Sequence, residues 1–211
     1  MKGIFITFEG PEGCGKTTQS KLLYNYLRRA GYDCIHTREP GGTKAGELIR
    51  KVLLKTRAAK ISDMAEVFLF EACRAQIIKE IIKPALAKKK IIICDRFSDA
   101  TVAYQGYGGK IPIKTIDMLN HTATGGLKPS LTVLLDIDTI TGLRRAKKKG
   151  TDRMEAKDLA YHRRVRSGYL ALAKKEPRRI KIVRVMKHIN DTQKEVRRIA
   201  LDVISRYKRT R

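Results

Sequence analysis

The chain has 211 residues, enough for one sizeable hydrophobic core with a small appended segment. Its hydrophobic content of 42% is ordinary for a globular protein, and no apolar run approaches the roughly 20 residues that a membrane-spanning helix needs. Lys and Arg number 46 against 21 Asp and Glu, a net charge of +25, which attracts anions such as nucleotides or nucleic acid, although runs such as Lys88–Lys90 and Lys147–Lys149 read as solvated helix ends.

In chain order, short apolar runs alternate with helical patterns. The predicted strands are Gly3–Phe8, Cys34–Thr37, Lys90–Cys94, Leu131–Asp136 and Ile180–Val185. The first predicted helix, Thr17–Arg29, carries apolar residues at Leu22, Leu23, Tyr26 and Leu27. A long helical stretch follows from Ser62 to Lys88, with Ser62 and Asp63 as caps and Pro84 near its end. Helices over Thr139–Lys148, Asp158–Lys174 and Asp191–Lys208 complete the set. Strands separated by helices predict an α/β fold, a parallel sheet covered on both faces. Residues 144–167, rich in Arg and Lys, interrupt the pattern and read as a mobile insertion in a single domain. Cys14, Cys34, Cys73 and Cys94 are scattered without a C-x-x-C pair, so they read as small buried residues, not as zinc ligands or disulfides. The N-terminus enters a strand pattern at once and shows no basic-apolar-small leader, which places the expected location in the cytoplasm.

The segment Gly10-Pro11-Glu12-Gly13-Cys14-Gly15-Lys16-Thr17 fits G-x-x-x-x-G-K-[ST], with a strand before it and a helix after it. The glycines let backbone N–H groups turn inward around an anion, and the helix adds its positive end. Lys16 would reach the β- and γ-phosphates of ATP, the Thr17 hydroxyl would ligate Mg²⁺, and Thr18 extends the loop into the helix. A switch GTPase would carry N-K-x-D, which is absent, and a motor would carry an acidic pair at the end of a later strand. Instead Ile91–Ile93 run into Cys94-Asp95-Arg96-Phe97. Asp95 suits a water on Mg²⁺, and Arg96 beside it suits a second anion, the acceptor, or else a structural ion pair with Asp95.

Four segments, FEGPEGCGKTT (8–18), TREPGGT (37–43), FLFEACRAQ (68–76) and CDRFSDATVAYQGYG (94–108), resemble the thymidylate kinase family of bacterial type, with a weaker match at 152–173. The resemblance spans nearly the whole chain. It implies a P-loop kinase fold with a five-stranded parallel sheet, a short lid at about 144–157, a homodimer formed through the Ser62–Lys88 and Ile113–His121 regions, and phosphorylation of dTMP to dTDP by ATP and Mg²⁺. It implies that Phe70 stacks on the thymine ring and that Arg74, four residues on and on the same helix face, bonds its carbonyl. Thr101 and Gln105 would line the base pocket, and Tyr104 would close against the sugar and disfavour a 2′-hydroxyl. Glu12 would accept from the 3′-hydroxyl, while Glu39, Arg50 and Arg96 would surround the acceptor phosphate. The loop lacks an arginine, so Arg153 would be the lid arginine that reaches the transferred phosphoryl group. Arg145 would stack on adenine, with Arg144 as the competing candidate, and Arg164 and Arg166 either support the lid or form a basic face. The chain departs from the family in having Ala100 where Ser is usual and Arg163 where an acid is common. A kinase for another nucleoside monophosphate, a pseudo-enzyme that binds ATP without transfer, and a nucleic-acid-stimulated P-loop NTPase are the alternatives; the last explains the charge but neither TREPGGT nor AYQG. No specific nucleic acid and no membrane is expected as a partner.

Overall fold

The fold, obtained as a computed structural model, describes residues 3–55, 60–147 and 153–209. Strand β1 (Ile4–Glu9) leads through the phosphate loop into helix α1 (Lys16–Arg29). β2 (Cys34–Arg38) is followed by α2 (Lys44–Lys55) and α3 (Asp63–Ile77), which Ser62 caps by accepting from the Ala65 amide. The helix then widens into a π-helical stretch, Ile78–Ile82, before α4 (Lys83–Ala87). Pro84 at the start of α4 has no N–H to donate and its ring crowds the carbonyl four residues back; the widened turn absorbs both effects.

β3 (Ile91–Asp95) runs into α5 (Ser98–Thr101) and a second π-helical segment, Val102–Gly108. α6 (Ile113–Thr124), β4 (Leu131–Asp136), α7 (Thr139–Lys147), α8 (Leu159–Lys175), β5 (Ile180–Arg184) and α9 (Ile189–Arg209) complete the chain. All five predicted strands are present, with ends moved by at most one residue. The helices α2, Ser98–Gly108 and α6 were not among those predicted from apolar spacing, although α2 carries the helical period at Ala45, Leu48, Ile49, Val52 and Leu53. The insertion expected over 144–167 is smaller: residues 144–147 end α7 and residues 159–167 begin α8. Part of that insertion and of the lid, residues 148–152, lies outside the described residues.

The sheet is parallel with order β2-β3-β1-β4-β5. β1, β3 and the first five residues of β4 are buried on both faces, which is why they read as continuous apolar runs. On one face Ile4, Ile6 and Phe8 pack with Leu23 and Leu27 of α1 and Val196, Ala200 and Ile204 of α9. On the other, Phe5 and Ile92 pack with Ile77, Ile78 and Ile82, and Leu134 packs with Tyr161 and Tyr169 of α8. The pairing register aligns Phe8 and Arg38 with Asp95, so the carboxyl ends of β1, β2 and β3 converge. At that edge the strand order reverses direction around β1, the crevice position where open α/β sheets bind ligands.

Candidate active site

The phosphate loop is shaped by close backbone approach. Gly13 has φ +68°, and a Cβ there would lie 1.9 Å from the Gly142 carbonyl oxygen of α7; a Cβ on Gly142 would lie 2.3 Å from the Glu12 carbonyl oxygen. Loop and helix therefore meet through two facing glycines. Lys16 is buried, and its Nζ donates to the carbonyls of Gly10 (2.8 Å) and Pro11 (2.9 Å). The Thr17 hydroxyl donates to Asp95 Oδ2, while Asp95 Oδ1 is buried without a protein partner.

A cleft of about 740 Å³ lies over this edge of the sheet. One end is lined by the loop from Glu12 to Thr18, by Arg145, and by Met186 and Lys187 after β5. Arg145 borders the cleft and Arg144 does not, so tertiary structure separates two neighbours that the sequence left open. Gly10 and Pro11 sit behind the loop, where their carbonyls hold Lys16. The other end is lined by Glu39, Arg50, Phe70, Arg74, Arg96, Thr101, Tyr104 and Gln105, with Asp95 between the two halves. Leu54, Met154 and Glu155 also line the cleft, as do Arg38, Pro40, Phe97 and Ala100.

Arg96 is the hub of the second half. It adopts φ +72°, donates 2.8 Å to Glu12 Oε1, and stacks 4.7 Å above the Tyr104 ring. The Tyr104 hydroxyl donates 2.5 Å to the same Glu12 oxygen. Burial pushes the Glu12 carboxyl up, but Arg96 and Lys16 outweigh it and hold its pKa down at about 2. Arg50 donates 2.7 Å to the Pro40 carbonyl, after the cis Glu39–Pro40 peptide. Its pKa is lowered, first by burial and then by Arg38, with Arg96 contributing, so three arginines crowd one end of the cleft. Such a cluster is ready for a dianion.

Arg74 is almost fully buried, and its five N–H donors meet protein acceptors: Glu39 (2.9 Å), Glu71 (2.5 Å), Asn120 (2.6 Å), the Phe97 carbonyl (3.3 Å) and Thr101 (3.0 Å). Burial pushes Glu39 up, with Arg74 opposing, to a pKa of about 7, and its Oε1 has no protein partner. Arg153 does not border the cleft. It donates 3.0 Å to the Leu53 carbonyl and pairs with Glu66, which also accepts 2.8 Å from Gln105. Glu66 carries no motif signal, because its partners are 39 and 87 residues away in sequence. Arg164 donates to the Gly108 carbonyl and Arg166 pairs with Asp136, so both fasten α8 to the body.

Behind the hub, Glu9 is fully buried. Its Oε1 accepts 2.7 Å from the Phe97 amide and its Oε2 accepts 2.7 Å from the Tyr169 hydroxyl. Burial, then Asp99, raises its pKa to about 8.

Fold, phosphate loop and the arginine-lined second half of one cleft together define a P-loop kinase. The chain belongs to the thymidylate kinase family: the family profile described as Thymidylate kinase matches residues 8–196. It is 47% identical over 198 residues to the thymidylate kinase of Geotalea uraniireducens, covering 90% of this chain and 93% of that one. It is 42% identical over 203 residues to that of Symbiobacterium thermophilum, covering 96% and 95%. The crystal structure of thymidylate kinase from Ehrlichia chaffeensis superposes with a TM-score of 0.79 at 36% identity, covering 95% of this chain and 100% of that one.

Proposed function

We propose that the protein transfers the γ-phosphoryl group of ATP to dTMP, giving ADP and dTDP. The observation that carries this is one cleft in which the phosphate loop faces a pocket built from Phe70, Thr101, Tyr104, Gln105 and the Arg50–Arg96 pair. Lys16 would leave the Gly10 and Pro11 carbonyls for the phosphates of ATP, and Arg145 would cover adenine. Phe70 offers a flat apolar face to the pyrimidine. Arg74 would share a donor with the base carbonyl, most easily the 3.3 Å bond to the Phe97 carbonyl. Tyr104, held by Glu12 and Arg96, would close against the sugar and disfavour a 2′-hydroxyl.

Thr17 and Asp95 fit Mg²⁺: Asp95 Oδ1 is a buried carboxylate oxygen without a partner beside the Thr17 hydroxyl. No cluster of three or more His, Cys, Asp or Glu exists among the described residues, which suits an ion held mainly by phosphates and water. When bound, Mg²⁺ neutralises charge on the phosphates. Arg153 would exchange Glu66 for the transferred phosphoryl group, the role the family resemblance gives a lid arginine.

The acceptor is already an anion, so positioning and charge neutralisation suffice without a strong general base. The protein acts as a cytoplasmic homodimer in this reading. Met64 and Phe68 of α3 and Met118 of α6 are exposed apolar residues on the two helices expected to pair, and among the described residues no helix is long and apolar enough to cross a membrane.

The test is ADP formation with ATP and Mg²⁺ in the presence of dTMP, dUMP, UMP, CMP, single-stranded DNA or no acceptor. Strong dTMP-dependent turnover with UMP and CMP near background is the expected result. Equal turnover of UMP or CMP overturns the pocket assignment, and turnover that responds only to DNA overturns the kinase reading.

A further inference from the structure

Arg96 is a residue with a Cβ in the left-handed region, at φ +72°, a conformation that persists only where surrounding contacts over-determine it. Four hydrogen bonds hold the backbone from the Asp95 carbonyl to the Phe97 amide; in one, the Cys94 thiol donates 3.0 Å to the Arg96 carbonyl. The Asp95 carbonyl accepts 2.9 Å from the Glu39 amide, and the Arg96 amide donates 3.0 Å to the Phe8 carbonyl. The Phe97 amide donates 2.7 Å to Glu9 Oε1. Two of these are sheet-like backbone contacts that any sequence could make. The other two depend on side chains: Cys94 lies on the same strand as the corner, whereas Glu9 reaches it from β1.

We propose that Glu9 is a positioning residue for the acceptor: through the Phe97 amide it holds the Arg96 corner at the angle from which the guanidinium meets the monophosphate. Glu9 does not border the cleft, so it acts through Arg96 and not on substrate. Its location explains how one residue registers both halves of the site. Glu9 ends β1 and immediately precedes the phosphate loop, whereas its partner Phe97 follows β3. Glu9 Oε2 is in turn fixed by the hydroxyl of Tyr169 on α8. The Tyr169 ring lies edge-on to Tyr104, 6.1 Å between centroids, and Tyr104 carries Arg96 on its face. Removing the Glu9 acceptor leaves the Phe97 amide buried and unpaired, and the corner then has to relax to find another partner. That relaxation moves Arg96 relative to the loop, whose backbone stays packed against Gly142 of α7.

The inference rests on the reading that Arg96 binds the acceptor phosphate, so the experiment includes Arg96→Ala. Steady-state kinetics are measured for Glu9→Leu, Glu9→Gln, Tyr169→Phe and Arg96→Ala, varying dTMP and ATP separately. Glu9→Leu, close in size but without an acceptor, is expected to lower kcat/KM for dTMP by about tenfold or more while the KM for ATP changes less than about threefold. Glu9→Gln keeps an oxygen for the Phe97 amide and should recover most of that loss. If Glu9→Leu does not fold, Tyr169→Phe makes the same comparison: it frees Oε2 and should raise the KM for dTMP by about threefold, with ATP unaffected. Equal effects on both substrates, no effect on dTMP in the variant that folds, or a Gln variant as impaired as Leu would each overturn the proposal. Should Arg96→Ala itself leave dTMP kinetics intact, it is the acceptor reading that fails.

Discussion

Arg153 is the arginine that the family resemblance sends to the transferred phosphoryl group, yet its guanidinium here pairs with Glu66 and donates to the Leu53 carbonyl. The two placements share an energetic logic. A part-buried guanidinium is stabilised by an anion, and Glu66 supplies one until a more highly charged group is offered. Arg153→Ala should therefore reduce kcat by about 10²- to 10³-fold with little change in the KM for either substrate, and Arg153→Lys should restore little of it, because an ammonium lacks the planar fork. Steady-state kinetics read both, and an Ala variant with unchanged kcat would remove Arg153 from the reaction. The motif residues Lys16, Thr17, Asp95 and Arg96 were legible from local spacing, whereas Arg145 came only from the family resemblance, with Arg144 left open. Glu9 and Glu66 were not legible: each is defined by partners on other elements, and an isolated glutamate in a sequence does not announce one.

At the scale of elements, the phosphate loop depends on α7 as much as on its own glycines. Gly142 has no motif around it, but a Cβ there meets the Glu12 carbonyl oxygen at 2.3 Å, closer than any relaxed contact. Gly142→Ala gains helix propensity of up to about 1 kcal/mol yet should destabilise the protein and raise the KM for ATP several-fold, since backbone and not a flexible side chain must move. Thermal unfolding and ATP titration together check this; a stabilised variant with unchanged ATP affinity would show that the loop yields freely. The π-helical segment Val102–Gly108 was recognised as a motif and not as a helix, because its seven residues follow neither a 3.6 nor a 2.0 period.

At the scale of the molecule, buried carboxyls give stability a pH dependence. Glu9, with its folded pKa raised to about 8, binds a proton that the unfolded chain releases near pH 4.5. That contribution is fully present below pH 4.5 and lost as pH rises toward 8. Glu12, lowered to about 2, contributes in the opposite sense: its share is present above pH 4.5 and lost as pH falls through 2. Glu9→Gln should thus flatten the decline in stability between pH 5 and 8, by about 1.4 kcal/mol per pH unit at most, in urea melts at several pH values; an unchanged slope would show Glu9 ionised throughout. The net charge of +25 should retain nucleic acid weakly on a column, and moderate salt should release it without altering dTMP turnover.

The amino-acid sequence by itself determined the class of fold and the phosphate loop, with Asp95-Arg96 after a later strand; the residues expected around the acceptor came only from the family resemblance. The fold and the loop rest on short-range regularities: apolar period and glycine spacing. Tertiary structure alone decided which of Arg144 and Arg145 borders the cleft, that Arg74 spends its five donors on protein, and that Glu9 ties β1 to the corner after β3. The reason is physical. A buried charge or an unpaired amide is satisfied by whatever the sheet register brings within about 3 Å, and that register joins residues such as Glu9 and Phe97 across 88 positions of chain.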